Sequence, residues 1–285
     1  MTLLKIAIQN KGRLYEDSMK LIEETGIRFS LKGRELLATA KNFPMEALFL
    51  RDDDIPQTVA DGVADIGIVG ENEILEKKKN VTIVKRLGFS KCRLSLAIPK
   101  SESYQGINWF EGKKIATSYP MILQNFLIRH NIKADIHVIS GSVEIAPGIG
   151  LADAIFDIVS SGSTLVSNRL REVEVVIPSE ALLVANAALS KEKKELLDEF
   201  IFRMESVQRA EGKKYILLNT PNEKLDEIIS ILPGMKSPTV TPLAETNWSS
   251  IHSVIAENDF WEIIGKLKNA GAQGIITIPI EKMIF

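Results

Sequence analysis

A chain of 285 residues is too long for one minimal core and suits two or three modest domains. With 45% apolar residues, 25% charged residues and a formal net charge of -2, it argues against a nucleic-acid partner held by bulk positive charge. Its one cysteine, Cys92, excludes an internal disulfide framework and a thiolate metal cluster. The N-terminal apolar run breaks at Gln9, too soon for a secretory segment, and no later stretch reaches the ~20 apolar residues of a membrane span. A cytoplasmic location with no membrane partner is expected.

In chain order, Leu4–Ile8 reads as a strand, and Arg13–Glu24 as an amphipathic helix stopped by Gly26. Ala47–Leu50 is a short strand, and Pro56–Ala64 a helix opened by proline. Asp65–Gly70 reads as a buried strand running into a glycine turn. Strands follow at Leu94–Ile98, Lys114–Thr117 and Ile136–Ile139, with helices expected at Pro120–His130 and Leu151–Ser160. Such alternation predicts βαβ units and mostly parallel sheets. Glu192–Glu211 is a long charged helix ending at Gly212. Beyond it come strand Tyr215–Leu218, helix Glu223–Ile231, strands Thr239–Leu243 and Ser250–Glu257, helix Asp259–Ala270 and strand Gly274–Pro279. That β-α-β-β-α-β order is ferredoxin-like and places a small α+β domain at 212–285. Trp109, Trp248 and Trp261 read as packing anchors.

The densest chemical constellation runs from Gly141-Ser142-Val143-Glu144 through Asp153 and Asp157 to Ser160-Ser161-Gly162-Ser163-Thr164. Small hydroxyl residues around a glycine free their N–H groups to converge on a phosphate, and acids just before them suit sugar hydroxyls. The same spacing also suits a helix C-terminus that ends in a polar turn. Lys11-Gly12-Arg13 directly follows the first strand, where ligands lie in open α/β sheets. Two cations beside a glycine suit a polyphosphate, although a basic solvated turn would look the same. Arg34 and Arg51 are further cations near strand ends. His130, His137 and His252 are too scattered for a metal cluster or a Ser-His-Asp triad and read as structural or surface residues.

Taken together, these segments resemble the long form of the ATP phosphoribosyltransferase family. The resemblance is carried by Ala7-Ile8-Gln9-Asn10-Lys11-Gly12-Arg13-Leu14, Arg51 with Asp54-Ile55-Pro56, and Asp65-Ile66-Gly67-Ile68-Val69-Gly70. It continues through Gly141-Ser142-Val143-Glu144, Gly150-Leu151-Ala152-Asp153-Ala154-Ile155, Asp157-Ile158-Val159 and Gly162-Ser163-Thr164-Leu165 to Leu232-Pro233-Gly234-Met235 and Pro279-Ile280-Glu281-Lys282. One departure is Asn72, where many relatives carry aspartate, with Glu71 as the candidate substitute.

The resemblance implies an α/β, two-lobed, periplasmic-binding-protein-like catalytic region. Residues 1–90 with a return segment about 181–211 form one lobe, and 91–180 form the other. A ferredoxin-like domain at 212–285 follows. The implied reaction transfers phosphoribose from phosphoribosyl pyrophosphate to N1 of the adenine of ATP, with Mg2+ as cofactor and no assigned metal ligands. It opens histidine biosynthesis, with histidine as feedback inhibitor and a homo-oligomer built from dimers to a hexamer. Carried onto this chain, Arg13 and Arg34 become the catalytic cations. Glu144, Asp153, Asp157, Ser160, Ser161, Gly162, Ser163 and Thr164 bind phosphoribosyl pyrophosphate. Lys11, Gly12, Arg13, Arg51, Gly70 and Glu71 bind ATP, and Asn219, Met235, Thr239 and Gly274 bind histidine. Two rival readings are a non-catalytic two-lobed binding module and a phosphoribosyltransferase for another base.

Overall fold

The computed structural model describes residues 2–30, 35–232 and 237–284. Within it the chain opens as β1 (Leu4–Gln9), α1 (Arg13–Glu24), β2 (Leu37–Thr39), β3 (Met45–Leu50), α2 (Ile55–Ala60), β4 (Ile66–Gly70), α3 (Glu71–Lys77) and β5 (Val81–Arg86). It continues as β6 (Cys92–Pro99), β7 (Lys114–Thr117), α4 (Pro120–Arg129), β8 (Asp135–Val138), β9 (Ala154–Val159), α5 (Ser163–Ser167) and β10 (Leu170–Ser179), then returns as β11 (Ala181–Asn186). The last elements are α6 (Lys191–Ala210), β12 (Lys213–Pro221), α7 (Leu225–Ile231), β13 (Thr239–Pro242), β14 (Trp248–Ala256), α8 (Glu257–Asn269) and β15 (Gln273–Pro279).

These elements make three sheets, ordered β2-β3-β1-β4-β11-β5, β10-β6-β9-β7-β8 and β13-β14-β12-β15. After the second sheet is complete, the chain comes back to the first through β11. Both sheets are mixed rather than mostly parallel. Only β3-β1-β4 and β8-β7-β9 run parallel, while β2, β5, β6, β10 and β11 enter antiparallel. The third sheet is wholly antiparallel and has the expected ferredoxin-like order. By contacts the chain divides into two compact units, Met1–Lys20 with Ile27–Leu197, and Leu21–Gly26 with Asp198–Phe285. Among the described residues, no helix is long and apolar enough to cross a membrane.

The largest correction falls on Leu151–Ser160, which is not a helix. Ala154–Val159 is the central strand of the second sheet, hydrogen-bonded to β6 on one side and β7 on the other. Its neighbours Ile155 and Phe156 enter separate apolar clusters on opposite faces. A strand buried on both faces shows no apolar–polar alternation, so its sequence mimics a buried helix. The packing is close elsewhere too. A Cβ at Gly67 would stand 2.8 Å from Ile55 Cγ2, so the glycine lets α2 lie directly on β4. Trp109 packs edge-on against Phe110 as expected, but Trp261 is 73% exposed and anchors nothing by burial.

Candidate active site

The hydroxyl-rich loop is a strand-to-helix junction, not the end of a helix. β9 runs out at Val159, Ser160-Ser161-Gly162 turn, and α5 begins at Ser163. Gly162 has φ +78°, the left-handed region that glycine enters without a Cβ penalty. Space is not what selects glycine there, because the nearest atom to a built Cβ is Val159 Cγ1 at 3.9 Å. The turn walls a cavity of about 270 Å³, whose lining includes Ser160, Ser161, Gly162 and Thr164 together with Glu144, Ile155 and Asp157. Ser161 and Ser163 hydroxyls lie 3.0 Å apart, which ties the turn to the first residue of α5.

Asp157 is half-buried in that wall. Burial pushes its carboxyl up to about 6; the Ile158 N–H draws it down and the Glu144 charge pushes it further up. Glu144 sits on a short 3-10 turn, Val143–Ile145, behind Ser142 at φ 51°. Asp153 is not brought to the loop. It precedes β9 where the loop follows it, roughly 20 Å away by the rise of an extended strand. Its Oδ2 accepts the Lys114 N–H at 2.8 Å, a structural bond.

The cations gather by topology. β1, β3 and β4 run parallel, so Lys11-Gly12-Arg13, Arg51 and Gly70-Glu71 all follow carboxyl ends of neighbouring strands. Gly12 has φ +89°, and its carbonyl accepts the Glu16 N–H at 3.1 Å to open α1. Arg13 reaches the loop directly. Its Nη1 donates to Ser160 Oγ and its Nη2 donates to the Lys91 carbonyl at 3.1 Å. Lys11 and Gly12 are exposed, and the Arg51 side chain is 71% exposed beside Asp53. Arg34 lies outside the described residues.

The turn after β4 differs from expectation. A Cβ on Gly70 would stand 2.3 Å from Asn72 Oδ1, so glycine is needed because the Asn72 side chain folds back over it. Asn72 is buried: its Nδ2 donates to Glu73 Oε1 at 3.0 Å and to Tyr119 Oη at 3.2 Å, and its Oδ1 accepts from Ser179 at 2.9 Å. Glu71 is no free substitute for an aspartate, since Arg86 binds it at 2.8 Å and bridges to Glu180 at 3.0 Å.

Four groups near the site escaped the sequence reading. Arg93 Nη1 donates to the Ser160 carbonyl at 3.1 Å, and its other nitrogens bind Glu172. Glu73 is 4% exposed, and its carboxyl is pushed up to about 7, first by burial and then by Asp52. Tyr119 bonds Glu73, and its hydroxyl is raised far above the usual tyrosine range by burial and by the charges of Glu73 and Asp157. Glu76 accepts the Met121 and Ile122 N–H groups at 2.9 Å each, joining α3 to the start of α4. None of these has a motif: each is an ordinary polar or charged residue until tertiary pairing places it. Among the described residues, no group of three or more His, Cys, Asp or Glu side chains is arranged to hold a metal ion.

In the second unit, a Cβ on Gly274 would lie 3.4 Å from Asn219 Nδ2, so these two meet across β12 and β15. Thr239 stands apart, opposite His252 on β14. His252 is structural, held by Tyr215 Oη at 2.8 Å and Ser250 Oγ at 3.1 Å. Met235 lies outside the described residues.

The chain is similar to known proteins. A family model described as ATP phosphoribosyltransferase matches residues 51–206, and one described as HisG, C-terminal domain, matches residues 210–282. The chain is 71% identical over 282 residues to an ATP phosphoribosyltransferase of Parabacteroides distasonis, covering 99% of this chain and 100% of that one. It is 65% identical, with the same coverage, to one of Bacteroides thetaiotaomicron. Among solved structures, the ATP phosphoribosyl transferase (HisG:HisZ) complex of Thermotoga maritima matches with a TM-score of 0.62 and 31% identity, covering 71% of this chain and 96% of that one.

Proposed function

The chain belongs to the ATP phosphoribosyltransferase family, in its long form, and on that premise we propose how its residues divide the reaction. The substrates are ATP and phosphoribosyl pyrophosphate. Adenine N1 attacks the ribose C1, the C1–O bond to pyrophosphate breaks, and the electron pair leaves with the diphosphate. The sugar carries oxocarbenium character in between, so the protein's task is to position two anions and stabilise separated charge. A nucleophilic triad is not needed.

Ser160, Ser161, Gly162, Ser163 and Thr164 grip the ribose 5-phosphate, and Asp157 accepts a ribose hydroxyl. Glu144, which lines the same cavity, faces the sugar. Asp153 takes no part. Lys11, Gly12 and Arg13, joined by Arg34 and Arg51, receive the triphosphate and the departing diphosphate. The observation that carries this reading is the Arg13 guanidinium on the Ser160 hydroxyl, which brings a cation of the first sheet to the loop of the second.

Residues 1–90 with 181–211 and residues 91–180 act as the two lobes around that junction. Two carboxylates beside the cavity, Glu144 and Asp157, fit a Mg2+ ion that takes most of its oxygens from diphosphate and water. Such an ion would neutralise charge on the leaving group. Asn219 and Gly274, which meet across β12 and β15, bind histidine in a regulatory domain at 212–285. The assembly is a homo-oligomer in the cytoplasm.

Incubation with ATP, phosphoribosyl pyrophosphate and Mg2+ should yield N1-phosphoribosyl-ATP and pyrophosphate, and added histidine should suppress both. Binding of the substrates without product would leave a binding module in place of an enzyme.

A further inference from the structure

Arg93 lies beside the loop yet does not line the cavity. Its three guanidinium nitrogens are all engaged. Nε and Nη2 bind Glu172 as a two-pronged pair, and Nη1 donates to the Ser160 carbonyl at 3.1 Å. Glu172 is itself fixed by the Ser95 hydroxyl, which donates to its Oε1 at 2.6 Å. The hydrogen bonds from Arg93, helped by Ser95 and by the Arg93 charge, hold the Glu172 carboxyl below the usual range. Strand register explains why these residues converge. Across the β6–β9 ladder Arg93 stands opposite Val159 and Ser95 opposite Asp157, so both share the sheet face that carries Asp157.

A peptide carbonyl that turned toward the cavity would repel a phosphate oxygen, because it is a negative dipole end. A guanidinium that already grips a carboxylate is rigid, and a rigid donor fixes the carbonyl it holds. We propose that Arg93, clamped by Glu172 and Ser95, is a positioning residue: by holding the Ser160 carbonyl it keeps the donors of residues 161–164 directed at the 5-phosphate. This rests on the reading of that loop as the 5-phosphate grip. Arg93 touches no substrate in this role, so its effect belongs to one end of one substrate.

The test uses the full chain and two probes, phosphoribosyl pyrophosphate as substrate and ribose 5-phosphate as a competitive ligand that lacks the diphosphate. In Arg93→Met, the KM for phosphoribosyl pyrophosphate and the Ki for ribose 5-phosphate should rise together, by about tenfold or more. The KM for ATP should stay within about twofold. Arg93→Lys keeps the charge but cannot serve Glu172 and Ser160 together, and should fall between wild type and Arg93→Met. Glu172→Gln should follow Arg93→Lys in direction. If Arg93→Met does not fold, Arg93→Lys and Glu172→Gln decide by the same split between substrates. Equal weakening of both substrates, or unchanged ribose 5-phosphate binding, overturns the proposal. Thr164→Val separates the two readings. If it weakens ribose 5-phosphate while the Arg93 and Glu172 variants do not, only the clamp falls; if it also has no effect, the loop itself is not the grip.

Discussion

Two strand-to-helix junctions do related work with opposite materials. After β1, Gly12 turns at φ +89° and Lys11 and Arg13 supply charge on an exposed edge. After β9, Gly162 turns at φ +78°, and Ser160, Ser161 and Thr164 around it supply directed donors on the wall of a cavity. The first has cations without enclosure. The second has enclosure but no cation of its own, and draws on Arg13 and Arg93 from elsewhere in the fold. Charge acts over distance and is screened by salt, whereas hydrogen-bond geometry acts only at contact and discriminates shape. A diphosphate that must arrive and depart suits the first kind of site, and a phosphate that stays bound through the reaction suits the second.

This contrast can be broken most severely at the second junction. Gly162→Val forces a β-branched residue into a left-handed turn and should lower kcat/KM for phosphoribosyl pyrophosphate by roughly a hundredfold or more, through strain and lost donors. Steady-state kinetics at several salt concentrations should find that loss unchanged by salt. Arg13→Ala comes next, with a loss of well over tenfold, since the transition state loses a charge-stabilising group. Here Arg13→Lys should recover part of the rate at low salt and lose it as salt rises. If the Gly162 variant proved salt-sensitive and the Arg13 variant did not, the division of labour would be reversed.

Much of the first junction was legible in the chain itself, because Lys11-Gly12-Arg13 follows an unambiguous strand, and the end of such a strand is where ligands lie. The second was legible in composition but not in its secondary structure. The strand that presents it is buried on both faces, and an apolar run without alternation carries no period to read. Arg93, Glu172 and Glu73 were illegible for another reason. Each acquires its role from a partner more than 40 residues away or from burial, and neither leaves a local signature. Asp153 shows the converse: adjacency in sequence suggested a shared site, and strand rise carried it to the far end of β9.

Smaller effects sharpen the comparison by charge state. Asp157 has its carboxyl pushed up to about 6, so the free enzyme loses this acceptor as pH falls through that value. The acceptor role then predicts that kcat/KM for phosphoribosyl pyrophosphate declines by about tenfold per pH unit below 6, while ATP binding does not follow. Asp157→Asn should be slower throughout and should lack that limb. A pH–rate profile identical in both would remove Asp157 from the sugar site.

The smallest expected effect is on stability rather than rate, at the buried acid Glu73 on α3. Asp52 and Asp53 push the Glu73 carboxyl up, Lys77 and the Tyr119 hydroxyl draw it down, and burial dominates, leaving it at about 7. An unfolded glutamate ionises near 4.5, so folding favours the protonated form between those values. The native state therefore loses stability as pH rises from about 4.5 to 7, by up to about 3 kcal/mol, and stays lower above that. Glu73→Gln keeps an acceptor for Asn72 but never carries the charge. Its Tm should lie close to wild type at pH 5 and above it at pH 8, by thermal unfolding in matched buffers. A constant difference across that range would mean Glu73 stays ionised in the fold, held by Asn72 and Tyr119 more strongly than burial opposes it.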